Sequence, residues 1–111
     1  MESTSGDAGM FCYIWEFVAA SGQEDAFRRA YGPDGPWVQL FRRDPAYIRT
    51  ELSRDADNPR RFVTIDYWTS RDACRAFRER VRDEFAAIDL ACERCTERER
   101  HIGDFDVMDG A

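Results

Sequence analysis

The stretch Phe11–Ala19, FCYIWEFVA, is apolar at every position except Glu16. It is too short for a typical helix and has no solvent-facing stripe. Such a run reads as a central strand covered on both faces. Downstream, Ser21 and Glu24 have the spacing of a capping box, and Ala26, Phe27, Ala30 and Tyr31 recur at helical intervals until Gly32 and Pro33 stop the helix. The turn PDGP at Pro33–Pro36 leads into Trp37, Leu40 and Phe41, whose spacing predicts a short helix. Tyr47–Ser53, YIRTELS, alternates as an edge strand does, and Phe62–Trp68, FVTIDYW, is again β-branched and aromatic. The turn formers DADNP at Asp55–Pro59 make these two runs an antiparallel hairpin. Thr69 or Ser70 then caps a long amphipathic helix through Ala73, Phe77, Val81, Phe85, Ile88 and Cys92, bent near Arg82 and Asp83. Arg98–Val107, RERHIGDFDV, reads as a charged edge strand.

The order strand, helix, hairpin, helix, strand is an α+β plan, βαββαβ, with the two most apolar strands in the middle of a four-stranded antiparallel sheet. Its helices can cover one face only. On this reading Trp15 or Glu16 of the first strand, with Asp66 and Trp68 of the third, lies on the other face. A second copy of the chain is the expected cover for so much apolar surface.

The 111 residues and their 43% hydrophobic content suffice for one domain and not for two. Residues 1–10 read as a disordered polar leader, 11–107 as the folded domain and 108–111 as a tail. A formal net charge of −6 argues against nucleic acid as a partner, since phosphate binders concentrate positive charge. All basic residues are arginine, which points to coding composition more than to function. The sequence shows no secretion signal and no apolar run long enough to span a bilayer, so a cytoplasmic protein with no membrane contact is expected. Cys12, Cys74, Cys92 and Cys95 form no disulfide pattern, and the Cys92–Cys95 pair lacks the further ligands a zinc site needs, so no metal is expected.

Three segments carry a family likeness. YIWEF at Tyr13–Phe17, AYGPDGPWVQLFRR at Ala30–Arg43 and TIDYWTSRDACRAF at Thr64–Phe77 resemble the antibiotic biosynthesis monooxygenase family, over roughly Phe11–Val107. The most specific part is Trp68 followed by a Ser70-capped helix with Phe77 one turn in. The resemblance implies ferredoxin-like subunits paired into a dimeric α/β barrel. It also implies functions ranging from cofactor-independent oxygenation of polyketides and quinols to haem degradation. Of the residues used by the haem-degrading branch only the tryptophan carries over, as Trp68. The asparagine position falls near Trp15 and the histidine position near Arg78.

Oxygenation without a cofactor needs a phenolic substrate, a base to deprotonate it, and a dry pocket where the anion can give an electron to oxygen. Burial tunes a carboxylate for that task by disfavouring its charge. Glu16 and Asp66, each interrupting an apolar strand, are therefore the candidate bases. The plainer alternative makes them sheet carboxylates bonded to arginines such as Arg49, or groups hydrated at a strand end. His101, the one histidine, is an outside candidate for proton transfer, against a solvated residue on a charged edge. Trp68 is the candidate stacking wall, with Trp15 and Arg49 as further substrate contacts, and each could equally serve packing or a surface pair. The expected function is a cofactor-free monooxygenase acting on a small aromatic or quinol-type substrate. The alternatives are a non-catalytic dimer that binds a small ligand or another protein and, third, a haem-binding protein.

Overall fold

A computed structural model describes residues 10–109. The proposed leader, apart from Met10, and the last two residues of the tail lie outside that range. In chain order the elements are β1 (Phe11–Ala19), α1 (Glu24–Tyr31), α2 (Pro36–Phe41), β2 (Tyr47–Arg54), β3 (Arg61–Trp68), α3 (Arg71–Arg80), α4 (Arg82–Cys92), a 3₁₀ turn (Glu93–Cys95) and β4 (Thr96–Asp106). The strands form one antiparallel sheet in the order β2-β3-β1-β4, which is the ferredoxin-like arrangement. The two apolar runs occupy the centre.

Several local expectations hold, and others need correction. Ser70 caps α3, its hydroxyl accepting the Ala73 N–H at 3.1 Å. Ser21 caps nothing: α1 starts at Glu24 behind Gln23, because the chain first turns through Gly22 at φ 79°, a left-handed conformation suited to glycine. The long second helix is two helices that meet at Val81. Gly35 lets α2 approach α1, since a side chain there would collide with the Ala30 carbonyl.

Register decides which residues share a face. Phe11 lies opposite Trp68, Tyr13 opposite Asp66, Trp15 opposite Thr64 and Phe17 opposite Phe62. Cross-strand partners point the same way, so all of these face the helices. This corrects the sequence expectation for Asp66 and Trp68, which do not lie on the uncovered face. The core on the helix side is aromatic, with Phe27 stacked between Tyr31 at 4.3 Å and Phe62 at 4.6 Å. A bulge in the β1–β4 pairing skips Ile102, which places His101 and Asp104 on this same face although they are three residues apart. Cys12, Ile14, Glu16 and Val18 of β1, with Val63, Ile65 and Tyr67 of β3, form the opposite face. No helix among the described residues is long and apolar enough to cross a membrane.

Candidate functional site

Between the sheet and its own helices lies a cavity of about 250 Å³. The helices of the same chain roof it, so it does not lie on the face that a second copy was expected to cover. Thr50, Thr64 and Asp66 form the floor, the rings of Tyr13, Trp15 and Phe17 one side, and Trp37, Val38 and Phe41 of α2 part of the roof. Tyr31 of α1, Arg78 of α3, Phe85 and Asp89 of α4 and Glu99 of β4 complete the wall.

Asp66 is 6% exposed, and its position among rings leaves its charge poorly solvated. Burial pushes its carboxyl from the ordinary 3.8 up to about 7, against the opposing pull of the Thr50 hydroxyl. That hydroxyl donates to Asp66 Oδ1, and the Tyr47 hydroxyl lies 2.7 Å from the Thr50 oxygen. Oδ2 has no hydrogen-bond partner among the described residues. The Tyr13 phenol, across the strand pair from Asp66, is held well above its ordinary value by burial, with the Asp66 charge adding to the effect. Cys74 on α3 is pushed up to about 12 by burial, so it is an inert thiol here.

The other proposed site residues are not brought together with Asp66. Glu16 lies on the opposite face, where Arg61 Nε donates to it at 2.6 Å and Arg100 Nε at 3.1 Å. The Arg61 hydrogen bond is the main reason its carboxyl sits below the ordinary range. Such a carboxylate is a poor base and a good ion-pair partner, and its partners are Arg61 and Arg100, not Arg49. Arg49 also lies away from the cavity, pairing with Glu51 at 3.4 Å and covering the Tyr67 ring at 4.1 Å. Trp68 is fully buried against Phe41, Tyr47 and Phe77 and is absent from the cavity wall, so it acts as core. His101 stacks on Trp15 at 5.1 Å from outside the cavity and holds Asp104 at 2.8 Å. Of the six proposed residues, Asp66 and Trp15 line the cavity together.

Sequence reasoning missed Thr50, Thr64, Tyr13, Asp89 and Glu99. Thr64 shares the parity of Asp66 on β3, and Thr50 lies opposite Asp66 in the hairpin, so a fixed register would have revealed both. The wall carries no histidine, cysteine or methionine, and burial holds the phenols of its two tyrosines, Tyr13 and Tyr31, in the protonated form, so it offers a haem iron no ready ligand.

The profile of the antibiotic biosynthesis monooxygenase family matches residues 10–88. No match is found among curated proteins. SnoaB, a cofactor-independent oxygenase from Streptomyces nogalater, superimposes with a TM-score of 0.68 at 22% identity, covering 92% of this chain and 96% of that one. Protein PA3566 from Pseudomonas aeruginosa does so with a TM-score of 0.67 at 15% identity, covering 91% and 96%. At these identities the likeness establishes the fold.

Proposed function

The chain belongs to the antibiotic biosynthesis monooxygenase family, and from that premise we propose that it is a cofactor-independent monooxygenase of a small aromatic, quinol-type substrate, with Asp66 as the base. The observation that carries the proposal is one buried carboxyl, raised to about 7, on the floor of a cavity half of whose lining residues are aromatic and whose wall also carries Arg78, Asp89 and Glu99. The known activity of SnoaB, a protein of the same fold, supports the reading.

The volume suits the substrate class. A cavity of about 150 Å³ holds benzene, so about 250 Å³ has room for one or two fused rings. Asp66 Oδ2 would take the phenolic proton, and the phenolate would pass one electron to O₂. The resulting aryloxyl radical and superoxide combine to form a C–O bond at a ring carbon that carries hydrogen. Asp66 returns its proton to the peroxide. As that carbon loses its hydrogen the O–O bond breaks, leaving a carbonyl and one water. Substrate and O₂ thus become quinone and water, and Asp66 ends as it began. Trp15 and Phe17 would flank the ring and help keep water out.

The test is oxygen uptake with a panel of one- and two-ring quinols. Wild type consumes oxygen with at least one of them, Asp66→Asn does not, and Glu16→Gln does. Uptake that survives Asp66→Asn overturns the assignment of the base. Quinol binding by calorimetry without any uptake would favour the ligand-binding alternative.

We also propose that the outer sheet face pairs with a second copy. Support comes from the apolar strip of Ile14, Val63 and Ile65 between charged flanks, an arrangement resembling an interface core and rim. Sedimentation should give a dimer for wild type and a monomer for Ile65→Arg. A wild-type monomer at micromolar concentration refutes the pairing.

A further inference from the structure

We propose that Thr50 and Tyr47 form a two-hydroxyl relay that connects the buried Asp66 carboxyl to the sheet edge and sets its proton exchange with solvent. The inference rests on the reading of Asp66 as the base, and its test separates the two. Its geometric basis is an asymmetry at the carboxylate. Oδ1 accepts the Thr50 hydroxyl, the Thr50 oxygen lies 2.7 Å from the Tyr47 hydroxyl, and Oδ2 is left unpartnered toward the cavity. One oxygen is therefore tethered and the other is open to a substrate. Thr50 and Tyr47 belong to β2, an edge strand, and Tyr47 is half-buried where Asp66 is buried, so the chain of hydroxyls runs outward.

The relay has a definite polarity. Each hydroxyl has one proton to donate. With Asp66 ionised, Thr50 gives its proton to the carboxylate, so Tyr47 must donate to Thr50, and both bonds point inward. Once Asp66 is protonated it can donate to Thr50, Thr50 to Tyr47, and Tyr47 to water, so both bonds point outward. During that reversal each oxygen passes on one proton and receives one, and the net change is one proton moved from Asp66 to solvent. The cavity can thereby stay dry while its base equilibrates with bulk pH.

The titratable and charged groups around Asp66 come from several elements. Tyr13 of β1, Tyr47 of β2 and Cys74 of α3 are all raised chiefly by burial and remain protonated near neutral pH. Arg78 of α3, Asp89 of α4 and Glu99 of β4 lie on the cavity wall. Glu99 is itself raised by burial and by Asp89, so the titration must be read at Asp66 specifically.

Carboxyl ¹³C NMR of aspartate-labelled protein, with Asp66 assigned through Asp66→Asn, supplies that reading. Thr50→Val should move the Asp66 midpoint upward by about one pH unit, the effect expected for losing one hydrogen bond to a charged acceptor. Thr50→Ser should restore it. Tyr47→Phe should leave the midpoint near that of wild type but broaden the resonance there, because exchange slows. If Thr50→Val and Tyr47→Phe titrate with wild-type midpoint and line width, the relay is wrong. If they show the NMR changes while no quinol supports uptake, the oxygenase reading fails and the relay stands. Should Thr50→Val fail to fold, Thr50→Ser and Tyr47→Phe carry the test: an unbroadened Tyr47→Phe resonance overturns the relay.

Discussion

Asp66→Asn should change the pH dependence of stability by an amount set by the carboxyl's burial. The folded state raises this group from 3.8 to about 7. Between those values the folded protein binds a proton that the unfolded chain has released, so wild-type stability falls as pH rises from about 4 to about 7 and then levels off. At about 1.4 kcal/mol per tenfold change in proton affinity, the full span is on the order of 4 kcal/mol. Asparagine keeps the shape and cannot ionise, so the variant lacks this slope. The variant should gain on wild type by up to about 4 kcal/mol between pH 4 and pH 8, whatever its offset at low pH. Groups such as Glu16 and Asp55, which are depressed by arginine or by hydrogen bonds, contribute equally to both proteins and cancel in the difference. Urea melts followed by tryptophan fluorescence at pH 4, 5, 6, 7 and 8 would measure it. A difference constant to within about 0.5 kcal/mol, near the extrapolation error of such melts, would mean that Asp66 is not a desolvated carboxyl and would remove the basis for its role.

Three further outcomes follow from the same geometry. Glu16→Gln should destabilise the protein at pH 6–8, with the loss closing as pH drops below 4.5, because a depressed carboxyl contributes stability only while ionised; denaturant melts at pH 3.5 and 7 check it. Thr64→Leu should fill the cavity, raising stability by about 0.5–2 kcal/mol as cavity filling commonly does while abolishing quinol binding by calorimetry. Trp68→Ala should cost about 3–5 kcal/mol, the range for truncating a buried large aromatic, read as a lowered denaturation midpoint, whereas a wall residue would chiefly lose affinity.

Much of the fold is written plainly in the chain. Phe11–Ala19 has no polar stripe, so its strand could be bounded to the residue, and Ser70 lies where its hydroxyl can reach the Ala73 N–H. The faces were harder to read. In Phe62–Trp68 the odd positions Val63, Ile65 and Tyr67 look like the core set, while the even ones include Thr64 and Asp66. The structure inverts that expectation, because Phe62 and Trp68 anchor the even set in the aromatic core, and strand parity then carries Thr64 and Asp66 inside with them. Glu16 follows the opposite parity and ends outside, where Arg61 and Arg100 could meet it. These pairings depend on β3 and β4, strands far from Glu16 in sequence, so spacing around Glu16 alone could not disclose them.

The inversion also accounts for the cavity. At either end of β3 the inward positions are large rings, Phe62 and Trp68, each packed without a gap against rings from the helices. Between them stand Thr64 and Asp66, and opposite Asp66 on β2 stands Thr50, all too short to reach the layer that those rings hold at a fixed height. Close packing would ordinarily collapse such a gap. Here the flanking rings act as spacers, and the helices rest on them above three short polar side chains. The features that looked like defects in an apolar strand therefore open the chamber, and one of them supplies its titrating group. An apolar residue of larger volume at position 64 or 66 would improve the core and remove the site, so the room for a ligand and the base that could act on it have a single structural origin.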